Sequence, residues 1–192
     1  GGGGRADDTV PRSPLRVGDV VPYATFVPTR AVASNMAGAG DGLVALEPLG
    51  AFAWIGLYPG DVSRKYNGKR KDHTMGTAAG PEGEDAFIIA DAGIKRGVHM
   101  VNEAGRGREA NVWYVKLGSG HVLYFAGRDI PPDEELLTCY SRNYGKRCYP
   151  IPARCADPRC LRAGAKHRAH SALLPEWVAP LVAAAPPHVR DP

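Results

Sequence analysis

The sequence predicts a mainly β fold, made of small sheets of short strands with many turns and few short helices. Three observations carry that expectation. Of 192 residues, 24 are Gly and 17 are Pro, residues that interrupt helices and supply turns. Hydrophobic residues make up 44% of the chain, enough for a packed core and too many for a disordered polymer. The apolar stretches are short and bounded by Gly, Pro and Asp, which is the pattern of strands between turns.

A chain of 192 residues suits one domain with short arms. Residues 1–16, rich in Gly, Pro and charge, read as a flexible lead-in, and residues 17–151 as the domain. Val17 to Val27 is extended, with Pro22 and Pro28 restricting it to an edge or irregular strand. Ala39-Gly40-Asp41-Gly42-Leu43-Val44-Ala45 is a glycine turn feeding a strand, and Ala51 to Gly60 holds a more apolar strand. Residues 61–85 form a polar, Gly-rich insert of the kind that carries recognition. Further strands are expected at Phe87-Ile88-Ile89-Ala90, at Val112-Trp113-Tyr114-Val115 and at His121-Val122-Leu123-Tyr124-Phe125. A Pro131-Pro132-Asp133 turn then leads into Glu134-Glu135-Leu136-Leu137-Thr138-Cys139-Tyr140. Residues 152–192 are a basic C-terminal segment, in which Ser171 to Val182 can make one or two helical turns broken by prolines.

The net charge of +4 is unevenly spread. Arg142, Lys146, Arg147, Arg154, Arg159, Arg162, Lys166 and Arg168 face Asp157 alone. Such a tail would attract a nucleosome or nucleic acid, or would serve as a solvated arm; both readings stand. No apolar run approaches the roughly 18 residues of a membrane span, and no signal peptide is evident, so an intracellular protein without a membrane partner is expected. Cys139 sits in an apolar run, while Cys148, Cys155 and Cys160 cluster towards the C-terminus; free or packed thiols in a reducing compartment are expected rather than a disulfide scaffold.

Taken in order, four motifs resemble the SET-domain family of protein lysine methyltransferases. They are Gly40-Asp41-Gly42-Leu43 with Ala45; Trp54 to Gly60 with its Tyr58-Pro59-Gly60 end; Met100-Val101-Asn102-Glu103 followed by Asn111; and Gly127-Arg128-Asp129-Ile130 running through Glu134-Glu135-Leu136 to Tyr140. A lone Gly-x-Gly is an ordinary turn, but four motifs in sequence are specific. The resemblance implies a SET (β-clip) fold of small curved sheets with a threaded, pseudoknot-like C-terminal segment. It also implies transfer of a methyl group from S-adenosylmethionine to a protein lysine, with a histone tail as the substrate class and the nucleus as the location.

That reaction needs alignment, an apolar channel for the lysine stem, and oxygen atoms facing a partly positive methyl. Tyrosines supply both wall and polar tip. By motif position Tyr140, Tyr58 and Tyr114 are the catalytic and channel residues, and Tyr144 is a further channel wall. Gly40, Asp41, Gly42, Leu43, Asn102 and Glu103, with Tyr144, are the donor-binding set. Any one of these tyrosines, taken singly and without its motif, is more readily a packed core or interface residue.

Several positions depart from the family pattern. Glu103 stands where His is common, the loop to Asn111 is long, Asp133 replaces a Gly, and Ser141 follows the motif tyrosine. These also resemble the PR subclass, so a catalytically silent protein-binding module is one alternative, and a nucleic-acid-binding domain using the basic tail is another. Arg142 lies near a position that limits methylation state, which leaves the number of methyls open. Cys148, Cys155 and Cys160, with His167 or His170, are of the types that ligate zinc, but zinc is not expected, because Gly105 stands where the family draws its fourth cysteine and the Cys-x4-Cys spacing is unusual.

Overall fold

The computed structural model describes residues 13–36, 38–66, 73–80, 83–104 and 108–140. It is mainly β. Eleven strands follow in order: β1 (Val20–Val21), β2 (Thr29–Ala33), β3 (Asp41–Ala45), β4 (Trp54–Leu57), β5 (Gly60–Ser63), β6 (Thr74–Ala79), β7 (Glu84–Ile89), β8 (Asn102–Glu103), β9 (Val112–Lys116), β10 (Val122–Ala126) and β11 (Leu137–Thr138). A 3-10 turn over Val98–Met100 precedes β8. The strands form four small sheets, ordered β1-β5-β7-β6, β4-β10-β9, β8-β11 and β2-β3. Among the described residues no helix is long and apolar enough to cross a membrane. The threading expected of the C-terminal segment falls outside the described residues.

Strand β10 is the centre of the core. All five of its residues are buried, as a middle strand covered on both faces requires. Leu123 and Phe125 point to one side, and Val122 and Tyr124 to the other. Around them Leu43, Ile55, Ile88 and Leu136 are fully buried, each contributing roughly 1.5–3 kcal/mol of apolar burial. Gly60 sits at φ 129°, with the Ile89 carbonyl where a β-carbon would be. Only glycine lets β5 turn out of the Tyr58-Pro59 corner and pair with β7 at that distance.

Several expectations need correction. Leu15, placed in the flexible lead-in, is 3% exposed; its N–H donates to the Ser119 carbonyl and its carbonyl accepts from Gly80. The 61–85 insert is not loop throughout, because β5 and β6 pair there with β7 in register from Asp61–Ile89 to Ala79–Glu84. Strand β2, part-exposed and without apolar alternation, was not anticipated; backbone pairing with β3 from Thr29–Ala45 to Ala33–Asp41 holds it. The extended reading of Val17 to Val27 reduces to the two residues of β1. Cys139 is disulfide-bonded, not a free thiol.

One turn explains a departure noted in the sequence. Asp133, where a glycine is common, has φ 60°, a left-handed conformation that Asp tolerates better than most residues. Its N–H donates to the Ala45 carbonyl, and its carboxylate meets Arg30 at 3.0 Å.

Asn111 is wholly buried and joins three segments. Its Nδ2 donates to Glu134 Oε1 (2.7 Å) and to the Glu135 carbonyl (2.9 Å), while its Oδ1 accepts from the Leu137 N–H (2.7 Å). Its own N–H donates to the Leu137 carbonyl, and its carbonyl accepts from Gly127. Replacement by Ala strands buried polar groups. Asn111→Ala is therefore expected to cost about 2–4 kcal/mol, read as a lower urea midpoint with an unchanged slope.

Burial pushes the pKa values of His99 and His121 down to about 4, with the nearby His73 adding to the effect at His99. Both rings are neutral in the fold. The unfolded chain, with histidines near 6.5, binds protons first as pH falls. Their contribution is thus complete above about pH 6.5 and is lost towards pH 4. Melting temperature is expected to fall between pH 7 and 4.5, and to fall less in a His99→Gln, His121→Gln double variant.

Candidate functional site

The glycine turn, the asparagine segment and the motif tyrosine converge. β3 lies beside the segment after Asp133: Val44 bridges to Glu135, and the Leu136 N–H donates to the Leu43 carbonyl (2.8 Å). β11 pairs in parallel with β8, Leu137 beside Asn102 and Thr138 beside Glu103. Tyr140, just past β11, donates its hydroxyl hydrogen to the Val101 carbonyl at 2.7 Å. Asn102 Nδ2 donates to the Asp41 carbonyl (3.1 Å) and reaches Glu135 Oε1 (3.4 Å). Gly42, Asn102 and Tyr140 therefore surround one small region, joined through Glu135 and Val101.

Glu135 is the centre of that region, although sequence reasoning gave it no role. It is 4% exposed. Its carboxylate accepts from Ser34 Oγ at 2.6 Å and from Arg108 Nη1 at 2.8 Å, as well as from Asn102. Burial alone would raise its pKa; the hydrogen bonds from Ser34, Arg108 and Asn102, with the charge of Arg108, outweigh burial and hold it below the ordinary carboxylate value. Glu134 behaves alike: burial is outweighed by hydrogen bonds from Arg128 and Asn111 and by the charges of Arg128 and Arg108. Both carboxylates stay ionised at neutral pH. The signal for Glu135 in the sequence was its place in the Glu-Glu-Leu run; its partner Ser34 lies 101 residues away.

The donor-binding positions differ in what they offer. Gly40 has φ 71° with open space around it, and its carbonyl closes a loop to the Ser34 N–H. At Gly42 a β-carbon would lie 2.5 Å from Glu135 Oε1 and 3.1 Å from Asn102 Nδ2. Asp41 pairs with Lys95 at 2.9 Å. The Leu43 side chain is in the core, and Glu103 is buried at 3% exposure. Thr138, fully buried beside Glu103, has a hydroxyl with no hydrogen-bond partner among the described residues. Of these positions Gly40 alone leaves open space for a bound molecule such as S-adenosylmethionine; the space beside Gly42 is filled by Glu135 and Asn102, and the unpartnered Thr138 hydroxyl is fully buried.

The other tyrosines gather on one face of the β4-β10-β9 sheet. Tyr124 lies between Tyr58, at a ring separation of 6.2 Å, and Tyr114, stacked at 5.4 Å. Tyr124 had been read only as part of a strand; its pairing with Tyr114 places it on the shared face. Tyr144, Cys148, Cys155 and Cys160 lie outside the described residues. Among the described residues no group of three or more His, Cys, Asp or Glu side chains is placed to hold a metal ion.

No family model matches the chain, and no curated protein does. Among solved structures it is similar to a chain of polycomb repressive complex 2 from Chaetomium thermophilum, at 20% identity and TM-score 0.49 over 65% of this chain and 17% of that one. It is also similar to the same complex in an autoinhibited conformation bound to S-adenosylmethionine, at 20% identity and TM-score 0.46 over 62% of this chain and 16% of that one. A third likeness is to that complex with H3K27me3 and H3K27M, at 19% identity and TM-score 0.48 over 67% of this chain and 16% of that one. The chain spans less than a fifth of the length of those chains.

The two glycines make separable predictions. Gly42→Ala forces a β-carbon against the Glu135 carboxylate and is expected to cost about 1–3 kcal/mol as an overpacked site. Gly40→Ala meets open space and is expected to cost about 1 kcal/mol for its left-handed backbone. Urea unfolding of the two variants checks the order.

Proposed function

We propose that this domain is a protein lysine N-methyltransferase that uses S-adenosylmethionine, with a histone tail as the acceptor class implied by its motifs. The observation that carries the reading is the Tyr140–Val101 hydrogen bond, made directly beside an Asn102 that reaches behind Gly42. Three motifs distant in sequence meet there, and their meeting is what the reaction would need.

The roles follow from the groups present. Gly40 leaves the backbone open to a bound molecule, Gly42 lets Glu135 and Asn102 pack against the turn, and Asn102 with the main chain of Glu103 forms the opposite wall. When bound, the donor supplies a methyl group on a sulfonium, already activated for displacement. Tyr140 gives its hydrogen to the Val101 carbonyl, a bond that fixes the phenol oxygen in place as the group to orient an amine or a partly positive methyl. Tyr114, part-exposed and backed by the buried Tyr124 and Tyr58, provides an aromatic wall that strips water from a lysine stem and that suits a cation before it loses its proton. Tyr144 is assigned to the same channel and donor site, from its motif position. The basic 152–192 segment is assigned contact with a nucleosome or nucleic acid.

The test is labelled methyl transfer to a panel of histone-tail peptides, native chain against Tyr140→Phe, with S-adenosylmethionine titrated by calorimetry in parallel. The native chain is expected to bind the donor and label at least one peptide. Tyr140→Phe should retain binding and lose roughly a hundredfold or more in kcat, the scale for removing a positioned polar group from a reacting centre. Equal labelling by both proteins removes Tyr140 from its role. No heat and no labelling from the native chain would instead favour a silent binding module.

A further inference from the structure

Lys116 ends strand β9 on the tyrosine face and has no assigned role. Register defines its place. Lys116 pairs with Val122, and the Val122 carbonyl accepts from the Tyr58 N–H at 2.8 Å, so Tyr58, Val122 and Lys116 form one row across the sheet. Tyr114 and Tyr124 form the next row. Residues two apart on a strand share a face and lie roughly 6.6 Å apart along it. The Lys116 side chain thus leaves the sheet on the same face as the rings assigned to the acceptor, in the row next to Tyr114 and Tyr124.

Its electrostatic state is unusual for a lysine on a sheet edge. The side chain is part-buried, yet among the described residues no ion pair includes it. Burial pushes its pKa below the ordinary lysine value, with the field of Asp85 on β7 opposing that shift. Asp85 is exposed and makes no ion pair with it. A part-desolvated cation whose nearby counter-charge, Asp85, is exposed and not in contact with it gains from an incoming carboxylate and repels an incoming cation. Neither Tyr58 nor Tyr114 could impose that preference, because their rings accept any lysine stem.

We propose that Lys116 determines substrate specificity at this site: it selects target lysines flanked by an acidic side chain over lysines flanked by Arg or Lys. The inference rests on the methyltransferase reading, since it takes the tyrosine face as the acceptor wall. It narrows the acceptor class by local charge.

The experiment uses peptides with one central lysine, flanked on both sides by Glu, Ser or Arg, with labelled S-adenosylmethionine and the full chain. The native protein should show kcat/KM about fivefold or more higher for the Glu-flanked than for the Arg-flanked peptide, the scale of one close charge contact. Lys116→Gln should flatten that ratio and Lys116→Glu should invert it. The ratio within each variant is independent of the fraction of active protein, so partial unfolding does not mimic the effect. An identical Glu-over-Arg preference in all three proteins, or no preference in the native chain, overturns the assignment of Lys116 while leaving the methyltransferase reading in place. Failure of the native chain to label any of the peptides, or to bind the donor, overturns both.

Discussion

The wholly buried Asn111 carboxamide is bonded at once to the Glu134 carboxylate, the Glu135 carbonyl and the Leu137 N–H. Each of those bonds decides where a neighbouring segment runs. The bond to the Glu135 carbonyl and the backbone exchange with Leu137 hold the 134–138 segment between β9 and β8, so that Leu137 and Thr138 can pair with Asn102 and Glu103. With that pairing made, the Glu135 carboxylate lies against Gly42 and Asn102, and Tyr140 emerges beside Val101. A buried amide can do this because it offers donors and an acceptor in one plane; an apolar residue of the same size would strip the Glu135 carbonyl and the Leu137 N–H of these bonds and leave Glu134 to Arg128.

Two electrostatic regimes sit on either side of this pin. Around Glu134 and Glu135 the charges are matched: Arg128 and Arg108 face the two carboxylates, and Lys95 faces Asp41. Pairing of that quality lets ionised groups remain in a buried region, and it fixes position more than it adds stability. The tyrosine face of the β4-β10-β9 sheet is different. It carries Tyr124 in ring contact with both Tyr58 and Tyr114 and, in the adjoining row, a lysine that no ion pair among the described residues includes. The matched side suits holding a molecule in one pose, and the unmatched side suits discriminating among charged arrivals.

Much of the architecture was legible in the residues, for reasons that also explain the rest. Strands β4, β9 and β10 are apolar runs bounded by turns, and their burial makes that pattern obligatory. β2 and β6 are built of Thr, Ala, Gly and Arg or Met with little alternation, because backbone pairing with β3 and β7 sustains them, and composition alone does not report such pairing. Leu15 looked like part of a polar arm since a single apolar residue has no periodicity; its place became visible only from its bonds to Ser119 and Gly80. At the site, Gly42, Asn102 and Tyr140 were each named by motif and do come together. Ser34, Arg108 and Tyr124 were not named, as their roles depend on register and on partners far away in the chain. Asp133 shows the reverse case: a residue that departs from a pattern yet adopts the backbone conformation the pattern's glycine would supply.

The central claim is spatial: one molecule of S-adenosylmethionine is held where the glycine turn, the β8 segment and the end of β11 meet. Amide hydrogen exchange of the native chain, with and without saturating S-adenosylmethionine, tests it directly. The account predicts added protection confined to residues 40–43, 101–104 and 137–140, with little change in the β1-β5-β7-β6 sheet. Protection concentrated in that sheet instead, or none at any of the three segments despite measured binding, would contradict it.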